Sequence, residues 1–369
     1  MGALHPFGAV LCLGLAAFLW WQCRSPPKPP PPPRQVPESA VGSSTRHTYT
    51  FVFGVVCTES RHEWRANLRQ LYAAHAGHVL PIYVVSAKRE HDKRWHERER
   101  NVGGRTADDV LFAKAAHTAT MLTGWYREAH CSHKTMGWWQ AAMRWPSVWY
   151  GKTDDDAVID LPPLLSLLRQ MPPAPVYGGI VRYSSLNAST LDGDCFSPGA
   201  NGAVRVRQKG KQAAKCAALE GPMPYVEGPL EILSADVAQY LSTRAWPDPR
   251  QRCHFEDLYV GRAIASHPKL TLVNLDTLIG RKDVWDPRNG HWVGADSLLA
   301  HWVRSKAAFN TVSRTFEARR GLLSASSLQL RCGRWAETFA LLPSFGCCHE
   351  WSICEPLTPT LRKRGARRR

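Results

Sequence analysis

The chain has 369 residues, with 47 Lys and Arg against 31 Asp and Glu, and a formal charge of +16 at pH 7. A hydrophobic share of 44% with 15 Trp excludes a disordered protein, and the length suits two or three domains or one large α/β domain. A single long uncharged apolar stretch excludes a polytopic membrane protein, and no heptad, collagen or solenoid repeat is present.

That stretch runs from Phe7 to Trp21 (FGAVLCLGLAAFLWW) and closes on two interface-type tryptophans. The residues after it, Gln22-Cys23-Arg24, lack the small side chains of a cleavage site, which favours an uncleaved signal anchor over residues 1–24. Arg24 and Lys28 follow the anchor, flanking charges that on their own would keep that end in the cytosol. Residues 25–47 read as a stem: eight prolines between Ser25 and Pro37 make a semi-rigid polyproline II spacer. Of 11 cysteines, Cys12 and Cys23 belong to the anchor, and no paired C-x-x-C occurs, so disulfides are expected in preference to a zinc site. Asn187-Ala188-Ser189 is the only N-glycosylation sequon.

From Thr48 onward strands alternate with helices. Thr50–Val56 is a β-rich apolar run, followed by a helix with Trp64, Leu68, Leu71 and Tyr72 on one face. Leu80–Val85 is a second strand. Lys88–Arg105, dense in both charges and ending in Gly103-Gly104, is expected to be a mobile surface segment. Thr106 and Asp109 make a capping box for a helix carrying Leu111, Ala115, Thr118, Leu122 and Trp125. A short helix ends before Pro146, and Ser147–Thr153 is a third strand running into Asp154-Asp155-Asp156. Asp160 with Pro162-Pro163 starts the next helix, and Val176–Arg182 and Leu270–Leu275 are later strands. Val204–Lys211 is expected to be a basic hairpin turning at Gly210, and Cys332–Cys354 a disulfide-tied appendix. Six of the last eight residues are basic, a solvated tail or a site for anionic partners.

Alternating strands and helices predict a mainly parallel sheet flanked by helices, with ligands at the carboxyl ends of the strands, where the three aspartates fall. Adjacent carboxylates repel one another unless a cation joins them, and hard cations such as Mn²⁺ or Mg²⁺ bind carboxylate and phosphate oxygens together.

Four segments, in order, resemble glycosyltransferase family 31, the β-1,3-galactosyltransferase and β-1,3-N-acetylglucosaminyltransferase group. Lys152–Ile159 (KTDDDAVI) is similar to its K-T-D-D-D signature, and Arg65–Tyr72 (RANLRQLY) to its R-x-x-I-R-x-T-W segment. Tyr225–Asp236 (YVEGPLEILSAD) is similar to Y-C-x-G-G-G-Y-V-L-S-x-D, and Glu256–Gly261 (EDLYVG) to E-D-V-Y-V-G. The resemblance covers residues 48–305 as a catalytic domain and leaves 306–369 as a Cys-containing extension with the basic tail.

It implies a GT-A type nucleotide-sugar-binding fold and a metal-dependent, inverting transfer of a hexose or N-acetylhexosamine, galactose first among them. The donor is a UDP-sugar, and the acceptor a glycan or glycoconjugate hydroxyl in β-1,3 linkage, with an acidic acceptor left open. It further implies a single-pass type II protein of the Golgi membrane with a lumenal catalytic domain. Carried over by position, Asp154, Asp156 and His301 hold the metal, with His291 next in line for the histidine. Asp154 and Asp155 meet the nucleotide, Arg65 is placed with the donor, Arg69 either meets the diphosphate or pairs on the helix surface, and Asp257 is the base, with Glu256 as fallback. Tyr72 stands for the family's Trp, and Gly228-Pro229-Leu230-Glu231 replaces a glycine run, which leaves acceptor identity open. The rival readings are a non-catalytic glycan- or nucleotide-binding relative and a nucleic-acid-binding protein; the second lacks aromatic–basic interleaving, so no nucleic acid is expected.

Overall fold

The structure, a computed structural model, describes residues 48–58, 60–86, 90–101, 109–113, 131–173, 175–187, 196–198, 204–206, 219–244, 256–267, 269–279, 297–318, 329–334 and 350–357. The anchor, the stem, the sequon residues 188–189, His291 and the basic tail lie outside them. No helix among the described residues is long and apolar enough to cross a membrane.

Among the described residues, nine strands, β1 (Tyr49–Val56), β2 (Val79–Ser86), β3 (Val110–Ala113), β4 (Ser147–Asp154), β6 (Val176–Asn187), β9 (Leu219–Ser234), β10 (Lys269–Asn274), β12 (Gln329–Arg334) and β13 (Glu350–Leu357), form one mixed sheet. Their order is β12-β13-β10-β6-β9-β4-β1-β2-β3. Five of the eight pairings are parallel; β9 runs antiparallel between β4 and β6, and β12 closes the edge antiparallel to β13. Two small ribbons complete the set: β5 (Val158–Ile159) with β11 (Leu299–Ala300), and β7 (Phe196–Pro198) with β8 (Val204–Val206).

Successive strand residues point to opposite faces, and both faces here are covered, so β1 has no polar side chain from Phe51 to Val56, all of them buried. Phe51, Phe53 and Val55 pack under α1 (His62–Tyr72), α2 (Lys93–Asn101), α4 (Leu161–Gln170) and α7 (Lys306–Ala318). Val52, Ile82 and Val84 pack on the other face under α3 (Cys131–Ala141), α5 (Ala235–Ser242) and α6 (Glu256–Ala265), with Trp138 and Trp139 fully buried there. Pro162 and Pro163 occupy the first turn of α4, where a missing N–H costs nothing.

Three expectations are corrected, and a fourth, the basic hairpin over Val204–Lys211, lies mostly outside the described residues. The charged segment contains helix α2, begun where Asp92 Oδ1 accepts the Trp95 N–H (3.2 Å), and it buries Trp95 and Glu99. Asp109 does not cap a helix: Val110–Ala113 is strand β3, and 114–130 lie outside the described residues. Val204–Val206 pairs with Phe196–Pro198, the stretch before it, while 207–211 lie outside the description. Residues 329–334 and 350–357 extend the main sheet through β10, so they are part of its edge, not an appendix, with Cys332 opposite Cys354. Cys57 is a buried free thiol, pushed up to about 12 by burial.

The Arg65 and Arg69 guanidiniums are both occupied by carboxylates: Arg65 by Glu99 (2.7 Å), and Arg69 by Glu99 (2.7 Å) and Asp109 (2.6 Å), the ion pairing left open for Arg69. They lock α1 to α2 and β3. Burial works against the charge of Glu99, but Arg65, Arg69 and His62 hold its carboxyl down at about 2. A depressed folded-state pKa gives stability that is present above the ordinary 4.5 and lost as pH falls toward 2. Glu99→Gln leaves two buried cations short of a partner; a loss of roughly 3–5 kcal/mol is expected, with a flatter acid limb, measured by urea unfolding across pH 2–7.

Candidate functional site

The described acids converge where β4 ends against the bulge of β9. Gly179 pairs with Glu231, yet Ile180 pairs with Glu227, so relative to β6 the strand β9 carries Gly228, Pro229 and Leu230 as extra residues. Gly179 makes room for this with φ +142°; a Cβ there would fall 2.3 Å from the Leu230 carbonyl oxygen. Pro229 fits because the bulge relaxes the demand on its absent N–H, and its carbonyl accepts the Thr153 hydroxyl at 2.6 Å.

The bulge brings Gly228 over the end of β4. A Cβ on Gly228 would meet Lys152 Nζ at 3.1 Å, Asp257 Oδ1 at 3.2 Å and Asp154 Oδ2 at 3.3 Å. The end of β4 and the first turn of α6 therefore share one cleft. Asp257 Oδ2 accepts the Gly228 N–H (2.9 Å), while its Oδ1 is buried and takes no hydrogen bond among the described residues.

Lys152, fully buried, is the cation of this cleft. Its ammonium donates to the Gly228 carbonyl (3.2 Å) and to Glu256 Oε1 (3.2 Å), and lies 3.0 Å from Asp154 Oδ1 and 3.8 Å from Asp257 Oδ1. Burial works against that charge, but Asp154, Glu256, Asp257 and Glu231 hold the ammonium well above its usual range. Glu231, paired in register with Lys152 across β4 and β9, is itself pushed up to about 8 by burial. Burial likewise raises Asp154 to about 6 and Asp257 well above the ordinary carboxylate range, the latter helped by Glu256 beside it.

Asp154, Asp156 and His301 form the one group among the described residues close enough to share a cation, each offering a ligand atom within 4.8 Å of the others. His301 Nε2 lies 3.3 Å from Asp156 Oδ1 and 3.9 Å from Asp154 Oδ2. Two carboxylates and an imidazole are a donor set that suits Mn²⁺, so the residues fit the metal they were expected to hold. Arg304 Nε binds the other oxygen of Asp156 (2.8 Å). Burial opposes ionisation of Asp156, but His301 and Arg304 keep its carboxyl below the usual value.

Asp155, expected at the nucleotide, is occupied elsewhere: Oδ2 accepts the Thr58 N–H (2.6 Å) and Oδ1 the Arg61 guanidinium (3.0 Å). It ties the end of β4 to the loop between β1 and α1. Arg61 and Arg304 are also walls of a cavity of about 550 Å³ bordered by Arg98 and Lys306, with Glu63 the one acid lining it among the described residues. Sequence reasoning missed Lys152, Glu231, Arg61 and Arg304 as members of the site. The first two were legible only as charges inside apolar strand patterns, and the cross-strand register is what joins them.

No protein-family model and no curated protein matches the chain. Among solved structures it is similar to a galactosyltransferase, LgtC, in complex with donor and acceptor sugar analogues. That similarity has 14% identity and a TM-score of 0.31, covers 74% of this chain and 96% of that one, and is too distant to carry an argument.

Gly228→Ala tests the convergence. The added methyl displaces Lys152, Asp257 and Asp154 by a few tenths of an ångström, so Mn²⁺ affinity should fall about tenfold or more, as for other changes behind metal ligands. Thermal unfolding should shift by only a few degrees, the cost of mild overpacking. Titration of Mn²⁺ by electron paramagnetic resonance, beside a melting curve, checks both.

Proposed function

We propose that the chain is a metal-dependent, inverting glycosyltransferase of the family 31 type. It would move a hexose or N-acetylhexosamine, galactose first among candidates, from a UDP-sugar to a glycan hydroxyl in β-1,3 linkage. The four ordered segments support the family and linkage. The observation that carries the chemistry is the shared cleft: Gly228 lies against both Asp154, a member of the cation-binding set, and Asp257, whose Oδ1 takes no hydrogen bond among the described residues.

Inversion requires a base on the face of the sugar opposite the leaving diphosphate. Asp257 suits that part better than Glu256, because Glu256 accepts a hydrogen bond from Lys152 (3.2 Å) while Asp257 Oδ1, 3.8 Å from that ammonium, takes none among the described residues. As the acceptor oxygen bonds to the anomeric carbon, its proton passes to Asp257 and the bond to the diphosphate breaks. Lys152 fixes Asp257, Glu256 and Asp154 relative to one another, a positioning role that keeps the base aligned with the departing group. A divalent cation held by Asp154, Asp156 and His301 would supply Lewis-acid stabilisation of the departing phosphate charge. Arg61, Arg304 and Lys306, at the adjoining cavity, add positive charge on the nucleotide side.

The proposed setting is the Golgi membrane, with the segment up to residue 24 as a type II anchor, residues 25–47 as stem and the body lumenal. A UDP-release assay over a panel of UDP-sugars and glycan acceptors tests the activity. Mn²⁺-dependent release should vanish with EDTA and drop at least about 100-fold in Asp156→Ala and Asp257→Asn. Release unaffected by both substitutions contradicts the proposal. Metal-dependent UDP binding without turnover on any pair would assign the chain to the non-catalytic reading instead.

A further inference from the structure

Trp302 combines two unfavourable features, offset within the described residues by ring contacts to its near neighbours His301 and Arg304. It is the one non-glycine among the described residues with a left-handed backbone, φ +60°, and it is 55% exposed, the most exposed of the large apolar side chains described. Its neighbours fix the turn: Leu299–Ala300 pairs with Val158–Ile159 before it, and the Val303 N–H donates to the Asp156 carbonyl (2.8 Å) after it. The turn sends His301 and Arg304 to the two oxygens of one carboxylate, Asp156. A glycine or asparagine would make that turn at lower cost. A tryptophan there presents an indole at the rim of the acid cluster, its ring centroid 5.7 Å from the His301 ring and 5.5 Å from the Arg304 guanidinium carbon.

The order of groups across the cleft selects what the indole faces. Lys152, with Asp257 Oδ1 3.8 Å from its ammonium, meets Asp154 at Oδ1 (3.0 Å), while His301 faces the other oxygen of Asp154, Oδ2 (3.9 Å). His301 and Arg304 lie on Asp156, and Arg304 leads into the cavity shared with Arg61, Arg98 and Lys306. A nucleoside diphosphate with its phosphates at the cluster and its leaving side turned from the base extends toward Arg304. We propose that Trp302 is the stacking platform for the nucleobase of the donor, a binding residue outside the four recognised segments. The inference rests on the transferase reading, because it takes the base-bearing side of the cleft as the acceptor side. An indole stacks on any nucleobase face, so it adds affinity without selecting the sugar.

Calorimetric titration of UDP with Mn²⁺ into the full protein tests this with Trp302→Ala, Trp302→Phe and Trp302→Gly, each beside a melting curve. UDP affinity should fall about tenfold or more in the Ala and Gly variants and be largely restored by Phe. Trp302→Gly should melt no lower than wild type, because it relieves the left-handed backbone while removing only an exposed ring. Unchanged UDP affinity in Trp302→Ala overturns the platform, as does weakening confined to the intact UDP-sugar, which would place a sugar on the ring. Wild-type protein that takes up no UDP overturns the transferase reading along with it.

Discussion

A single ammonium buried without water must be surrounded by opposite charge, and Lys152 meets that requirement by gathering Asp154, Glu256 and Asp257 from separate parts of the chain. The reverse dependence is as strong, since that many carboxylates in one desolvated cleft repel one another unless a cation stands among them. The strand end, the β9 bulge and the start of α6 are therefore mutually conditional. Removing the positive charge would leave each of them with an uncompensated buried group.

The sheet makes this geometry available. Parallel strands β1 and β4 end side by side, so the loop after Val56 and the acids after Thr153 open on one edge, where Asp155 ties them through Thr58 and Arg61. The antiparallel strand β9 crosses that edge and, through its bulge, lowers Gly228 onto the cluster. The small ribbon of β5 and β11 brings His301 from far along the chain to the same place. Division of labour among the three aspartates follows from these attachments: Asp155 holds the scaffold, while Asp154 and Asp156 face the cleft.

Much of this architecture was legible. The apolar runs of β1, β2 and β4, the amphipathic face of α1 and the Asp160-Pro162-Pro163 start of α4 follow from pattern and local chemistry. The acids were found because a triplet at a strand's end has few bland explanations. Helix α2 was hidden because its sequence is nearly all charge; its burial depends on Glu99 meeting Arg65 and Arg69, a tertiary event with no local signature. For the same reason Arg65 read as a donor-binding residue, and Arg69 stayed open between the diphosphate and an ion pair. Strand β3 was masked by a cap-like Thr106 and Asp109, and the latter serves Arg69 instead. The last two strands join through long-range pairing to β10, which no periodicity in a cysteine-rich stretch announces.

The central claim is that one cleft holds a cation at Asp154, Asp156 and His301 and faces it with Asp257. Crystals of the protein grown with Mn²⁺ and UDP, measured at the manganese absorption edge, test it most directly. The account predicts one strong anomalous peak among those three side chains, roughly 2.0–2.2 Å from their ligand atoms, with diphosphate oxygens beside it. An anomalous peak elsewhere, or UDP lying in a cleft that Asp257 does not border, would contradict it.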